Sequence, residues 1–335
     1  MSTTDADKRF LISFCVCSLL LSLSLVSLGV YVDPRGIFGT NRYPVIVATS
    51  RFEKQLLLEA ADPQPQALIL GSSHCMRFRP AVVENATGLK TFNLSIDSGK
   101  MEDFLALLEH TIKDAGLKLK LIILGVSPRT FCNLKDEGFD GRLISNMALM
   151  RHVPLNPLVR VQKKAALYAG TLNLNYLKDV RKSVRLSRRQ NLPLANYTFE
   201  SDGFLPWEEK FNKEGALLAG PVERDTTITG FSQERQEYFD LFLEICRQED
   251  ISVKIIVTPY APDYIAAVDR LDGSYSRFNG MLLEFLKSRN HGGTYELYDF
   301  SHIENYGGVD EFMGAAHPSI YNSTLMLDRL FTKGR

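Results

Sequence analysis

The 335-residue chain has no charge excess, since 39 Lys plus Arg are matched by 39 Asp plus Glu. That balance excludes the global field of a nucleic-acid-binding protein, and any electrostatic message has to be local. None of the five cysteines lies in a C-x-x-C pair or a Cys/His cluster with the spacing of a zinc site. Neither a metal, another cofactor nor a disulfide framework is therefore expected. No glycine-rich phosphate loop is present, which argues against a nucleotide-binding protein.

What is present begins with an uncharged run from Leu11 to Val32. About 20 such residues span a hydrocarbon core as helix. A cleaved signal peptide would have an apolar region of about 7 to 15 residues followed by a small-residue cleavage site, whereas this run is longer and leaves through Tyr31-Val-Asp-Pro-Arg35. An uncleaved anchor is the expectation. Lys8 and Arg9 precede the run and Arg35 and Arg42 follow it, so the flanking charges balance and do not set the orientation; residues 1–10 are nonetheless expected in the cytoplasm and the main domain outside it, on the periplasmic side. Residues 33–62 read as a juxtamembrane connector.

From residue 63 to 335 the pattern is that of an α/β domain. Ala67-Leu-Ile-Leu, Thr91 to Ile96, Leu119 to Gly125, Ile251 to Val257 and Thr294 to Asp299 read as strands. Between them, Arg79 to Gly88, Met101 to Ala115, the stretch after Phe231-Ser232, and Met281 to Lys287 read as helices. Ala315-Ala-His317-Pro318-Ser319 is expected to open a last helix, with proline in its first turn. Strand and helix in alternation predict a doubly wound, flavodoxin-like parallel sheet. About 134–223 breaks the rhythm and reads as a mainly helical insertion. Between Arg151 and Asn191 its many Lys and Arg are opposed by Asp179 alone. That segment is either a solvated face or a surface for anionic lipid or glycan.

In a parallel sheet the loops after the strands share one edge. Ser73 follows the first strand in Gly71-Ser72-Ser73, Ser127 follows the third, and His317 lies between the fifth strand and the last helix. A serine with a histidine in reach suggests nucleophilic acyl chemistry. The competing structural reading is that Gly-Ser-Ser is a tight turn and His-Pro-Ser a helix cap.

A strand ending in Gly-x-Ser and a histidine followed by proline just before the last helix resemble the SGNH/GDSL hydrolase superfamily. The N-terminal span, the Asp-Pro step and Ser127-Pro128-Arg129-Thr130-Phe131 resemble its membrane-anchored branch, which includes teichoic-acid D-alanyl transfer and exopolysaccharide O-acetylation proteins. The resemblance implies Ser73 as nucleophile, His317 as general base, and Gly71, Ser72, Asn93, Ser98, Gly99 and Ser127 as oxyanion or substrate-binding residues. The acid three residues before the histidine is replaced here by Gly314, so Asp310, Glu311 or Asp299 is the expected substitute.

The function expected is a membrane-anchored extracytoplasmic acyltransferase or esterase acting on acyl groups of a cell-surface polysaccharide or similar polymer. A membrane-bound acyltransferase is a candidate partner, and nucleic acid is not. The alternative is a catalytically degenerate domain that binds glycan or scaffolds such an acyltransferase.

Overall fold

The computed structural model describes residues 5–46, 49–134, 143, 145–188, 199–206, 228–314 and 317–332. They form two compact units, 1–52 with 141–196, and 53–140 with 197–335. The connector expected over 33–62 thus divides at Phe52, and the helical part of the insertion groups with the N-terminal segment. Much of the rest of the insertion, including 207–227, lies outside the described residues.

The second unit is built on five parallel strands, labelled along the chain β1 (Ala67–Leu70), β2 (Thr91–Asn93), β3 (Leu121–Val126), β4 (Ser252–Val257) and β5 (Glu296–Asp299). Their spatial order is β2-β1-β3-β4-β5, the doubly wound flavodoxin-like arrangement. Every residue of β1 and β3 is buried, which is why these strands read as continuous apolar runs rather than alternating ones. β2 stops at Asn93 rather than Ile96, although the Leu94 and Ile96 amides still donate to the Ile69 and Gly71 carbonyls.

Helices lie between the strands, beginning with Pro80–Thr87, which has proline in its first turn and Gly88 in the left-handed conformation at its end. Met101–Glu109 continues into a π-helical turn, His110–Asp114. The buried Glu102 of this helix forms a two-pronged ion pair with the buried Arg235 of helix Gln233–Gln248, at 2.9 and 3.0 Å. Before Met281 the structure contains more helix than the sequence pattern shows. Pro262–Asp272 and Ser274–Arg289 are two helices separated by Gly273, whose φ of 65° ends the first.

The last helix is also placed differently from expectation. It runs Ile320–Phe331, with Ser319 as the cap whose hydroxyl accepts the Asn322 amide at 3.2 Å. His317-Pro318 is instead extended and pairs antiparallel with Phe312–Met313. Pro318 lacks a donor, so it suits this short ribbon as well as a first helical turn, and residue type alone does not separate the two.

In the first unit, the helix Asp5–Val32 contains a 26-residue stretch, Asp7–Val32, long and apolar enough to cross a membrane. The Asp33 carboxylate turns the chain after it by accepting the Ile37, Phe38 and Thr40 amides. Val32, Ile37, Tyr176 and Val180 form a small core there. Arg35 donates to Asp179 at 2.7 and 2.9 Å, so the one acid of the basic stretch is held by an internal ion pair.

At the carboxyl edge of the sheet, Cys75 occupies the space above two glycines. A β-carbon at Gly125 would lie 2.1 Å from the Cys75 sulfur, and one at Gly71 would lie 2.6 Å from it. Burial raises the Cys75 thiol far above its ordinary range, so it packs as a small apolar group. Overpacking of this kind costs about 1–3 kcal/mol. Gly125→Ala is expected to lower unfolding free energy in urea by that amount, and Cys75→Ala in the same chain is expected to restore part of it. Equal losses in the single and double variants would place the strain elsewhere.

Candidate active site

β1 ends at Leu70, and after Gly71 the chain turns into one 3-10 turn, Ser73–Cys75, capped by the Ser72 hydroxyl. Ser73 opens that turn, so its N–H has no partner within it. Its hydroxyl lies 2.9 Å from Nε2 of His317. These two residues are 244 positions apart in sequence, and both are half-buried.

The other imidazole nitrogen determines the chemistry. His317 Nδ1 lies 3.2 Å from the carbonyl oxygen of Met313, its partner across the short ribbon. A carbonyl only accepts, so Nδ1 carries the proton and Nε2 offers its lone pair to the Ser73 hydroxyl. This is the tautomer a general base needs, and it is set by backbone.

None of the acids expected to orient His317 is seen at that nitrogen. Asp310 and Glu311 are exposed. Asp299 accepts the Ser301 amide and hydroxyl at 3.0 and 2.6 Å, closing a local turn. Gly314 explains why the usual position carries no acid. Its φ of 65° is the left-handed region, which costs an L-residue about 1–2 kcal/mol, and a β-carbon there would meet nothing within 4 Å. A side chain at 314 would therefore start in open space rather than against the imidazole.

The charges that reach His317 come from residues the sequence reading did not select. Burial, then the positive charge of Arg77, holds the His317 pKa below its usual value, while the Met313 carbonyl and Asp97 act in the opposite direction. His74 directly follows the candidate nucleophile. In the structure its ring packs edge-on to His317 at 5.7 Å and to Tyr260 at 4.8 Å. Its Nδ1 lies 3.1 Å from the Thr258 hydroxyl, which donates to the Val126 carbonyl, so Nδ1 is the donor to Thr258. Burial, then the His317 and Arg129 charges, keep His74 neutral well below its usual pKa. The signal available in sequence was the position itself, since a residue one step along a 3-10 turn does not alternate sides as it would in a strand.

The remaining residues divide by location. Gly99 lies against β1, where its β-carbon would come 3.2 Å from the Gly71 carbonyl. Ser98 beside it is exposed, with φ of 48°. Ser127 is buried after β3, where its amide donates to the Thr130 hydroxyl. Asn93 is fully buried, and its amide group donates to the carbonyls of Cys75 and Phe78 at 2.8 Å each and of Met76 at 3.3 Å. That amide is thus committed to the turn carrying Ser73 and is not an oxyanion donor. Lys54 Nζ in turn donates to the Asn93 carbonyl at 2.6 Å and to that of Gly203.

No protein-family model and no curated protein matches the chain. Among solved structures, a Bacteroides fragilis protein assigned as an acylhydrolase aligns at 9% identity and a TM-score of 0.39, covering 84% of this chain and 94% of its own. A Desulfitobacterium hafniense protein assigned to the G-D-S-L lipolytic family aligns at 10% and 0.37, covering 79% and 98%. A GDSL-like lipase from Bacteroides thetaiotaomicron aligns at 9% and 0.35, covering 83% and 92%. Likeness at this level carries no argument about chemistry, which rests on the site itself.

A serine hydroxyl donating to an imidazole whose other nitrogen is protonated can attack an acyl carbon while the imidazole takes the proton. A carbonyl fixes the tautomer as a carboxylate would, but brings no full charge to balance the imidazolium. Both histidines are neutral in the fold at a pH where unfolded ones begin to protonate. At these two sites the unfolded state then binds more protons, and their contribution to stability falls as pH drops below about 6.5. Burial pushes the Glu53 carboxyl up to about 7, which acts in the opposite direction over the same window, so the histidine contribution is read as a difference: between about pH 6.5 and 5.5 the urea midpoint of the unaltered chain is expected to fall relative to that of His74→Gln. The same pH dependence in His74→Gln as in the unaltered chain would contradict the depressed pKa of His74.

Proposed function

We propose that this protein is a serine acyltransferase or esterase, held at a membrane by Asp5–Val32 with its α/β unit outside the cytoplasm. It would move small acyl groups on a cell-surface polysaccharide or related polymer. The observation that carries the reading is the 2.9 Å contact between the Ser73 hydroxyl and His317 Nε2, with His317 Nδ1 on the Met313 carbonyl. In this scheme Ser73 Oγ attacks the acyl carbonyl and its proton passes to His317 Nε2. The oxyanion is met by the amides of Ser73 and Gly99. The leaving alcohol takes the proton from His317, and water or a polymer hydroxyl then releases the acyl group by the reverse path. One backbone donor of this kind is worth about 3–4 kcal/mol in the transition state. A membrane-bound acyltransferase that supplies the acyl group is the natural partner.

A second reading is supported by the Met313 carbonyl standing where hydrolytic triads place a carboxylate. The α/β unit would then bind glycan, or scaffold an acyltransferase, without turnover.

A fluorophosphonate probe separates the two. Covalent labelling is expected in the unaltered chain and absent in Ser73→Ala. In His317→Ala it is expected to be slower by about a hundredfold or more. Because the His317 pKa is depressed, the acid limb of the labelling rate is expected below about pH 6.5. Labelling that persists in Ser73→Ala removes Ser73 as nucleophile, and an unaltered chain that binds surface polymer but takes no label supports the second reading.

A further inference from the structure

The helix Pro157–Gly170 has no buried residue. Along it and into the following turn, Leu158, Val161, Ala165, Tyr168 and Leu172 recur at steps of three and four, which places them on one face. All five are exposed, Leu158 by 67% and Val161 by 63%, and Leu174 at the start of the next helix is 76% exposed. Tyr168 at one end of the stripe packs against Phe38, with ring centroids 5.2 Å apart, and Leu167 packs against the small core, whereas Leu158, Val161 and Leu172 are left exposed. The following helix, Leu174–Leu186, instead presents Lys178, Arg181, Lys182 and Arg185 on one exposed face.

Both helices are fastened to the end of the apolar N-terminal helix. The Tyr176 hydroxyl donates to the Gly29 carbonyl at 3.2 Å, and a β-carbon at Gly29 would lie 3.0 Å from Thr171 Cβ. Leu11 to Val32 as helix is roughly 33 Å long, close to a hydrocarbon thickness of about 30 Å. Gly29 lies within one turn of its end. A hairpin tied at that level meets the boundary between acyl chains and headgroups. Apolar side chains enter the bilayer there, and lysine and arginine reach lipid phosphates.

From this arrangement we propose that the hairpin Pro157–Leu186 is an interfacial element seated on anionic lipid at the C-terminal end of the Asp5–Val32 helix. The inference rests on the anchor reading given under Proposed function. Its support is the attachment of the hairpin to the end of the apolar helix at Gly29 and the match between the basic face and anionic headgroups. A second copy of the chain or a polyanionic glycan would each satisfy only part of this pattern, the stripe in one case and the basic face in the other.

The test uses the full chain in vesicles of phosphatidylcholine with phosphatidylglycerol, in a Trp207→Phe background, with single reporters Leu158→Trp, Leu174→Trp and Leu19→Trp. Lipids brominated near the headgroup end of the acyl chain are expected to quench roughly half or more of the emission at 158 and 174, since an interfacial helix sits about 5–10 Å into that boundary. Adding Arg181→Glu, Lys182→Glu and Arg185→Glu is expected to reduce that quenching, most strongly at low salt. Emission unchanged at 158 and 174 while lipids brominated deeper in the chain quench the reporter at 19 would overturn the proposal and leave the anchor standing. A reporter at 19 that is also unquenched would remove both. Self-association in detergent, or glycan binding abolished by the charge reversals, each without quenching, would assign the surface to those occupants and overturn the lipid assignment.

Discussion

Asn93 is the residue on which the candidate site depends. Its side-chain amide meets the carbonyls of Cys75, Met76 and Phe78, and its side-chain oxygen accepts the Ser95 amide at 3.0 Å. A buried backbone carbonyl without a partner costs about 1–3 kcal/mol, and the turn after Ser73 leaves several at once. One asparagine at the end of β2 therefore satisfies the irregular backbone that a tight strand-to-helix turn creates. The buried Lys54 Nζ fastens Asn93 from the other side by donating to the Asn93 carbonyl. Cys75, packed over Gly71 and Gly125, closes the remaining space between β1 and β3. The serine is held by packing and hydrogen bonds that have no part in acyl chemistry.

The histidine is held by a different device. Across the ribbon Phe312–Met313 and His317–Pro318, pairing sets Met313 opposite His317, and its carbonyl takes Nδ1. The imidazole is thus oriented by a backbone carbonyl. The charged groups Arg77 and Arg129 both disfavour its protonation, with Asp97 partly compensating. The consequence is a base that takes up a proton less readily than a free imidazole.

The apolar and basic surfaces of the N-terminal unit follow from the same economy of burial. Asp179, the one acid between Arg151 and Asn191, is committed to Arg35, so the basic face is left facing outward. The helix beside it leaves Leu158 and Val161 of its apolar stripe exposed. Neither feature is explained by internal packing, and both lie at the end of the apolar helix.

Sequence by itself determined the doubly wound class, because buried parallel strands must be short continuous apolar runs and amphipathic helices must repeat near 3.6 residues. It also marked Ser73 and His317, because loops after parallel strands share an edge whatever their distance in sequence. Other features were legible only in three dimensions. Helix and extended structure compete at His317-Pro318 because proline suits both, and pairing with Phe312–Met313 decides for the ribbon. Asn93 reads as an oxyanion donor until the turn carbonyls claim its amide. The partner of His317 Nδ1 was invisible because a backbone carbonyl has no residue identity: any side chain at 313 supplies the same oxygen, and only the register of the ribbon brings it to the imidazole.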